Sequence, residues 1–139
     1  MQTTTEKLLA ELKSTTDIET FFKEHEGQFL DKTTHSYLNE LISLKNMNIS
    51  DVAKKSGSGE YVYKIFSGER KPSRDILISV AFGMKLSLEE TQLLLRITKF
   101  AILDSRDKRD SVIIYGLTHS MNIFETDDML YKKDLVTIN

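Results

Sequence analysis

Apolar residues recur every three or four positions along almost the whole chain, which is the spacing of side chains on one face of an α-helix. Leu38, Leu41 and Ile42 form one such stripe, and a denser stripe follows between residues 76 and 84. The alternation of apolar and polar positions that indicates a β-strand is confined to a short series at 61, 63 and 65. The pattern therefore predicts an all-α protein.

The ends of the predicted helices are marked by capping residues. Thr16 with Glu19, and Ser87 with Glu90, have the spacing of a capping box, in which side chains accept hydrogen bonds from free backbone N–H groups. Ser73 is a further N-cap candidate, and the glycines at 57 and 68 suit the left-handed conformation that ends a helix. We expect helices near residues 5–13, 16–27, 35–45, 50–56, 58–67, 73–84, 87–102, 112–120 and 126–135.

The composition is that of one globular domain, with 40% hydrophobic and 29% charged residues among 139. We expect residues 1–31 to supply N-terminal helices, 35–103 a central core and 104–139 C-terminal helices. The absence of cysteine excludes disulfides, thiolate metal sites and cysteine nucleophiles, and makes the reducing cytoplasm the expected location. No signal peptide and no membrane partner are expected, because no apolar stretch has the required length or flanks.

The charge is distributed unevenly along the chain. The net charge is −2, which does not suggest a general polyanion binder. Residues 1–31, however, carry three lysines against seven acids, whereas residues 45–74 carry seven cations against three acids. A basic island therefore lies in an acidic chain.

The basic island contains the segment ISDVAKKSGSGEYVYKIFSGERKP at residues 49–72. Ala53, four residues before a glycine, suits the crossing of two short helices joined by a tight turn, and Val62 and Ile65 are spaced to face inward from the second helix. With A-K-K-S-G at 53–57, V-x-x-I at 62–65 and S-G-E-R-K-P-S at 67–73, the segment resembles the Cro and lambda-repressor-like (XRE) family of helix-turn-helix proteins. The resemblance covers about residues 35–100. It implies an all-α, lambda-repressor-like helix-turn-helix core with additional N- and C-terminal helices.

The same resemblance implies a cytoplasmic, sequence-specific transcriptional regulator, in particular a repressor that binds double-stranded DNA as a homodimer. Its recognition helix would span residues 58–67, with Ser58 as a polar cap whose neighbouring N–H groups suit a phosphate or a base edge. The expected base contacts are Ser58, Gly59, Glu60, Tyr61, Tyr63 and Lys64. The expected phosphate contacts are Lys54, Lys55, Arg70, Lys71 and Arg74.

Dimerisation would use apolar residues outside the helix-turn-helix, and we favour those of the C-terminal helices. The candidates are Phe21, Phe22, Val112, Ile113, Tyr115, Leu117, Phe124 and Leu130.

Two alternatives stay open for this segment. The cations also fit a solvated helix face, and Tyr61 and Tyr63 also fit packing against the N-terminal helices. Glu60 repels phosphate unless it meets a cytosine. The alternative function is therefore a protein-interaction module, adaptor or antitoxin-like, on the same fold with weak or no DNA binding.

Other chemistry has little support in the sequence. His25, His35 and His119 are scattered, with no second ligand at metal spacing, so we expect no metal and no cofactor. The acid pairs at 89–90 and 127–128 are expected at helix N-termini, where the helix dipole accounts for them. No nucleophile is paired with a base, and the chain is not expected to be an enzyme.

Overall fold

The computed structural model of the chain describes residues 3–26 and 33–139. Within these ranges every regular element is an α-helix, which confirms the all-α prediction, and none of the helices is long and apolar enough to cross a membrane. The nine helices of the described ranges are α1 (Thr4–Ser14), α2 (Ile18–Glu24), α3 (Thr34–Leu44), α4 (Ile49–Ser56), α5 (Tyr61–Ser67), α6 (Arg74–Gly83), α7 (Leu88–Ile97), α8 (Lys108–Thr118) and α9 (Ile123–Lys132).

The chain divides into two compact units, residues 1–31 and residues 32–139. The first unit holds α1 and α2. Phe21 of α2 is buried, with 2% of its surface exposed, whereas α1 contains no buried residue. The helix predicted to start at Thr16 starts at Ile18, because Asp17 is its N-cap and accepts the N–H of Glu19. The predicted capping box at Thr16 is therefore wrong.

The second unit holds α3 to α9 around two apolar cores. The first core takes side chains from α3 to α7, among them the fully buried Leu38, Val52, Ile65 and Leu94. Each large apolar side chain removed from water in this way contributes roughly 1.5–3 kcal/mol against the entropy of ordering the chain. The first core therefore holds α4 and α5, the two helices of the basic island.

The second core takes side chains from α6 to α9, with Ile113, Ile123 and Leu130 fully buried. Helix α6 belongs to both cores, because Leu77 faces the first and Ile78 the second. A helix that is apolar on all sides is buried on all sides. Helix α6, which carries the dense apolar stripe of the sequence, therefore lies between the two cores.

Two local predictions in this unit are confirmed, and a glycine marks a close helix contact. The hydroxyl of Ser73 accepts the N–H of Ile76 at the start of α6. Ser87 and Glu90 form the expected capping box at the start of α7. Gly116 permits close packing of α8 on α9, because a Cβ there would collide with Thr126.

The last helix starts earlier than predicted. It begins at Ile123 and not near 126, because Asn122 and Glu125 form a capping box. Asp127 consequently lies in the middle of α9, where its carboxylate accepts the N–H groups of Ile138 at 2.6 Å and Asn139 at 3.0 Å. The predicted helix-dipole role of Asp127 is wrong, since this carboxylate binds the C-terminal segment.

Candidate nucleic-acid interface

A four-residue turn joins α4 to α5. At its first position Gly57 has φ of 75°, which glycine adopts without the clash that a Cβ would cause, and this confirms its predicted role at the end of α4. The N–H of Gly57 donates to the Lys54 carbonyl at 3.3 Å, and that of Gly59 donates to the Ala53 carbonyl at 3.2 Å. The turn is therefore bound to the last turn of α4, and the N–H of Gly59 is already used.

Ser58 faces the protein. Its hydroxyl lies 2.8 Å from the hydroxyl of Ser79 on the buried helix α6, and its N–H donates to the hydroxyl of Ser56. Helix α5 begins only at Tyr61, with Glu60 as an N-cap whose side chain makes no capping hydrogen bond. The prediction that Ser58 caps the recognition helix is wrong, because its hydroxyl ties the turn to α6.

Helix α5 has one buried and one exposed side. Val62, Ile65 and Phe66 point into the first core, and the side-chain amide of Asn39 on α3 donates to the Phe66 carbonyl at 2.7 Å. These contacts hold the helix against α3 and α4. The opposite side exposes three side chains at the i, i+3, i+4 spacing of one helix face, namely Glu60, Tyr63 and Lys64.

The two tyrosines of α5 have different environments. Tyr61 is half-buried against the first core, and its hydroxyl donates to the Lys71 carbonyl at 3.5 Å. Tyr63 is 46% exposed. Tyr61 therefore packs against the first core of the second unit, which is not the predicted packing against the N-terminal helices, whereas Tyr63 keeps an exposed ring that a ligand can contact.

The loop after α5 borders a groove of about 410 Å³ together with the ends of α3 and α7. Arg70 and Lys71 line it from the loop, His35 from α3 and Lys99 from the end of α7. No acidic residue of the described chain lines this groove. Lys99 was missed in the sequence because it lies outside the basic island and only the fold brings α7 to this loop.

Arg74 was predicted to contact a phosphate, but its guanidinium is bound inside the protein. Its guanidinium donates to both carboxylate oxygens of Asp110 and to the carbonyls of Ala101 and Ile102. Four of its five N–H groups are therefore used inside the protein. We accordingly leave Arg74 out of the candidate interface.

Lys54 and Lys55 are both exposed on α4. Lys55, however, lines a second groove, of about 530 Å³, together with Lys85 and Glu125. This groove shares no residue with the one that Arg70 and Lys71 line. The predicted phosphate contacts are thus not gathered into one groove.

The sequence suggested that His25 has no second metal ligand nearby, but in the first unit two carboxylates lie close to it. Ligand atoms of His25, Glu11 and Glu24 all lie within 4.8 Å of one another. Imidazole nitrogen and carboxylate oxygen are donors that divalent transition metals accept. Among the described residues, these three side chains form a cluster with the spacing of metal ligands.

Comparisons with known proteins add nothing to this geometry. No protein-family model matches the chain, and neither a curated protein nor a solved structure is found to be similar to it.

Proposed function

We propose that α3 to α7 form a lambda-repressor-like helix-turn-helix core of the XRE type, and that the protein is a sequence-specific DNA-binding transcriptional regulator. The observation that carries this proposal is the exposed face of Glu60, Tyr63 and Lys64 on α5, together with exposed cations on the preceding helix α4 and in the loop that follows α5. A polar helix face bordered by cations is the arrangement that binds base edges and phosphates together.

The ion pairs of the basic island support the choice of phosphate contacts. Lys45 pairs with Glu90, and Arg74 pairs with Asp110. The other cations of the island have no ion pair within the described part of the chain. They are Lys54, Lys55, Lys64, Arg70 and Lys71. Cations without an internal partner are free to neutralise DNA phosphates and release counterions.

Glu60, Tyr63 and Lys64 each have a chemical role in this proposal. Glu60 accepts a hydrogen bond from cytosine N4, and Lys64 donates to a guanine or a phosphate. Tyr63 contacts a thymine methyl group, whereas Tyr61 is held against the first core. Lys54, Arg70 and Lys71 bind phosphates on either side of the helix.

We further propose that the regulator acts as a cytoplasmic repressor and binds as a homodimer. Helices α8 and α9 share the second core with α6 and form no separate effector domain, so repression follows from occupancy of the DNA site. Of the predicted pairing residues, Phe21, Val112, Ile113 and Leu130 are buried. Among the exposed candidates, Phe124 at 59% on α9 and Tyr115 at 46% on α8 belong to the C-terminal helices that we favour for a symmetric interface, whereas Phe22 at 46% belongs to α2. Light scattering on Phe124→Lys tests this: loss of a dimer formed by the native chain is the expected result.

The salt dependence of DNA binding tests the main proposal. Replacing Lys54, Lys64, Arg70 or Lys71 by Ala is expected to weaken binding about equally on all duplexes and to lower the slope of log affinity against log salt by about one unit. Fluorescence anisotropy on a random duplex and on a duplex chosen by selection from a random pool gives both quantities.

Lys133→Ala is the matched control, since Lys133 is exposed beyond α9 and outside the interface. Its slope is expected to equal that of the native chain. An unchanged slope for all four test variants would contradict the proposal. Native protein that binds no duplex, but binds another protein through Tyr63, would establish the interaction module in its place.

A further inference from the structure

The first unit contains a cluster of metal-ligand side chains from the last part of α1 and the end of α2. Glu11 lies in the last part of α1, Glu24 is the last residue of α2, and His25 is the C-cap of α2. A carboxylate oxygen of Glu11 is in direct contact with Nε2 of His25. The three donor atoms lie within 4.8 Å of one another, although Glu11 and His25 are 14 residues apart in the sequence.

The three side chains differ in how they are held. The His25 ring packs against the ring of the buried Phe21, with centroids 4.8 Å apart. The His25 side chain is only 16% exposed, so this packing holds its position. The carboxylate of Glu24, in contrast, makes no hydrogen bond or ion pair within the described residues. A third ligand atom, from Glu24, thus lies beside the His25–Glu11 pair.

The charge of the surrounding sequence favours a cation. Residues 1–31 have a net charge of −4, from seven acids and three lysines. Such a field raises the local concentration of divalent cations and opposes the binding of anions.

We propose that Glu11, Glu24 and His25 bind a divalent transition metal ion such as Zn²⁺ and thereby link α1 to α2. One imidazole nitrogen and two carboxylate oxygens, completed by water, form a four-coordinate site with bonds of about 2.0–2.2 Å. The carboxylates of Glu11 and Glu24 are exposed and can adjust to that geometry, since the three donor atoms already lie within 4.8 Å of one another. Because α1 buries no residue, a metal bond stabilises a contact between α1 and α2 that buried side chains of α1 do not supply.

Isothermal titration of the full-length, metal-stripped protein with ZnCl₂ at pH 7.5 tests the site. We expect one site per chain whose affinity falls about tenfold or more in His25→Gln and in Glu24→Gln. The glutamine at 25 keeps a donor for the carboxylate of Glu11 but is a poor metal ligand, and Glu24→Gln removes no hydrogen bond or ion pair made within residues 3–26 and 33–139. The affinity is also expected to fall at pH 5.5, because metal binding requires the neutral imidazole.

Two controls separate this site from nonspecific zinc binding. Glu26→Gln removes the same charge two residues away from Glu24, and His119→Gln removes a histidine of the second unit; both are expected to retain the native affinity. Hydrogen exchange is expected to show slower exchange of α1 and α2 amides with Zn²⁺ and no change in α5. Absence of binding, or equal binding by the native chain, His25→Gln and Glu24→Gln, overturns the proposal, as does loss of binding in either control.

Discussion

Arg74 and Asp110 form a bidentate ion pair between the first turn of α6 and the first turn of α8, with Nη1 3.3 Å from Oδ1 and Nη2 2.9 Å from Oδ2. Their neighbours form a second pair in the opposite sense, since Arg109 donates to both oxygens of Asp75 at 3.0 and 3.1 Å. Two of the three Arg-Asp dipeptides of the sequence, Arg74-Asp75 and Arg109-Asp110, thus exchange partners and bind α6 to α8. Arg109 also donates to the carbonyls of Val136 and Thr137, so the same contact holds the C-terminal segment.

Replacing Arg74 by Ala is expected to lower the free energy of unfolding by about 3 kcal/mol, because it leaves the carboxylate of Asp110 buried without its counter-charge. The Asp110 side chain is only 10% exposed and keeps one hydrogen bond, from the N–H of Asp104. Urea unfolding measures the loss.

Arg106→Ala is the control for this prediction, because Arg106 pairs with Asp104 at a side-chain exposure of 90%. Such an exposed pair contributes about 0.5 kcal/mol or less. In the folded Arg74→Ala variant the salt slope of DNA binding is expected to equal that of the native chain. A slope lower by one unit would instead assign Arg74 to a phosphate.

Replacing Asp127 by Ala is expected to lower the free energy of unfolding by about 2 kcal/mol, since it removes a charged acceptor of two backbone N–H groups. It also releases Ile138, which is buried in the second core, and Asn139, whose side chain donates to the Ser56 carbonyl at the end of α4. Hydrogen exchange of the last residues is expected to accelerate. Asp128→Ala is the matched control, because within the described residues Asp128 forms only an exposed i,i+4 pair with Lys132, so its loss should cost much less. Equal losses for both variants would contradict this assignment.

The Glu90 carboxylate is expected to make part of the stability pH-dependent. Burial raises its pKa, but hydrogen bonds from the Ser87 N–H and from Lys45 outweigh burial, and the pKa lies below the ordinary value of 4.5. Because the folded carboxylate binds a proton less readily than the unfolded one, its contribution is present above pH 4.5 and is lost as the pH falls through the lower folded value.

Glu90→Gln is therefore expected to lower stability at pH 7 and to reduce the further loss between pH 7 and pH 3. Urea midpoints at the two pH values measure both effects. Glu89→Gln, with no hydrogen bond or ion pair at this carboxylate in the described residues, serves as the control. A Glu90→Gln variant that loses as much stability in acid as the native chain would refute the assignment.

Replacing Glu60 by Gln is expected to change the base preference at one position of the DNA site by about 1–3 kcal/mol, because an amide both donates and accepts whereas the carboxylate only accepts. Affinity for random duplex should stay the same or rise, since a charge that repels phosphate is removed. Selection from a random pool, followed by competition, measures the preference. Glu69→Gln, in the loop after α5, is the charge-matched control. A uniform gain without a change in preference would show that Glu60 only repels phosphate.

The sequence alone determined what depends on neighbours a few residues away. Helical periodicity identified the all-α class and the approximate place of each helix, although α5, α8 and α9 begin three or four residues away from the predicted starts. The caps at Ser73 and at Ser87 with Glu90 were recognised because the capping hydrogen bond joins residues three apart. Where two candidates competed within the same few residues, as Thr16 with Asp17, the local pattern did not choose between them, since both side chains offer an oxygen.

The tertiary structure decided every question that depends on distant parts of the chain. Ser58 binds Ser79, 21 residues away, and so leaves the interface. Arg74 binds Asp110 across 36 residues, and Glu11 reaches His25 across 14. Periodicity states which side of a helix is polar, but not which polar group of another helix meets it. A hydrogen bond or ion pair needs a partner within a few ångströms, and only the packing of the helices brings such partners together.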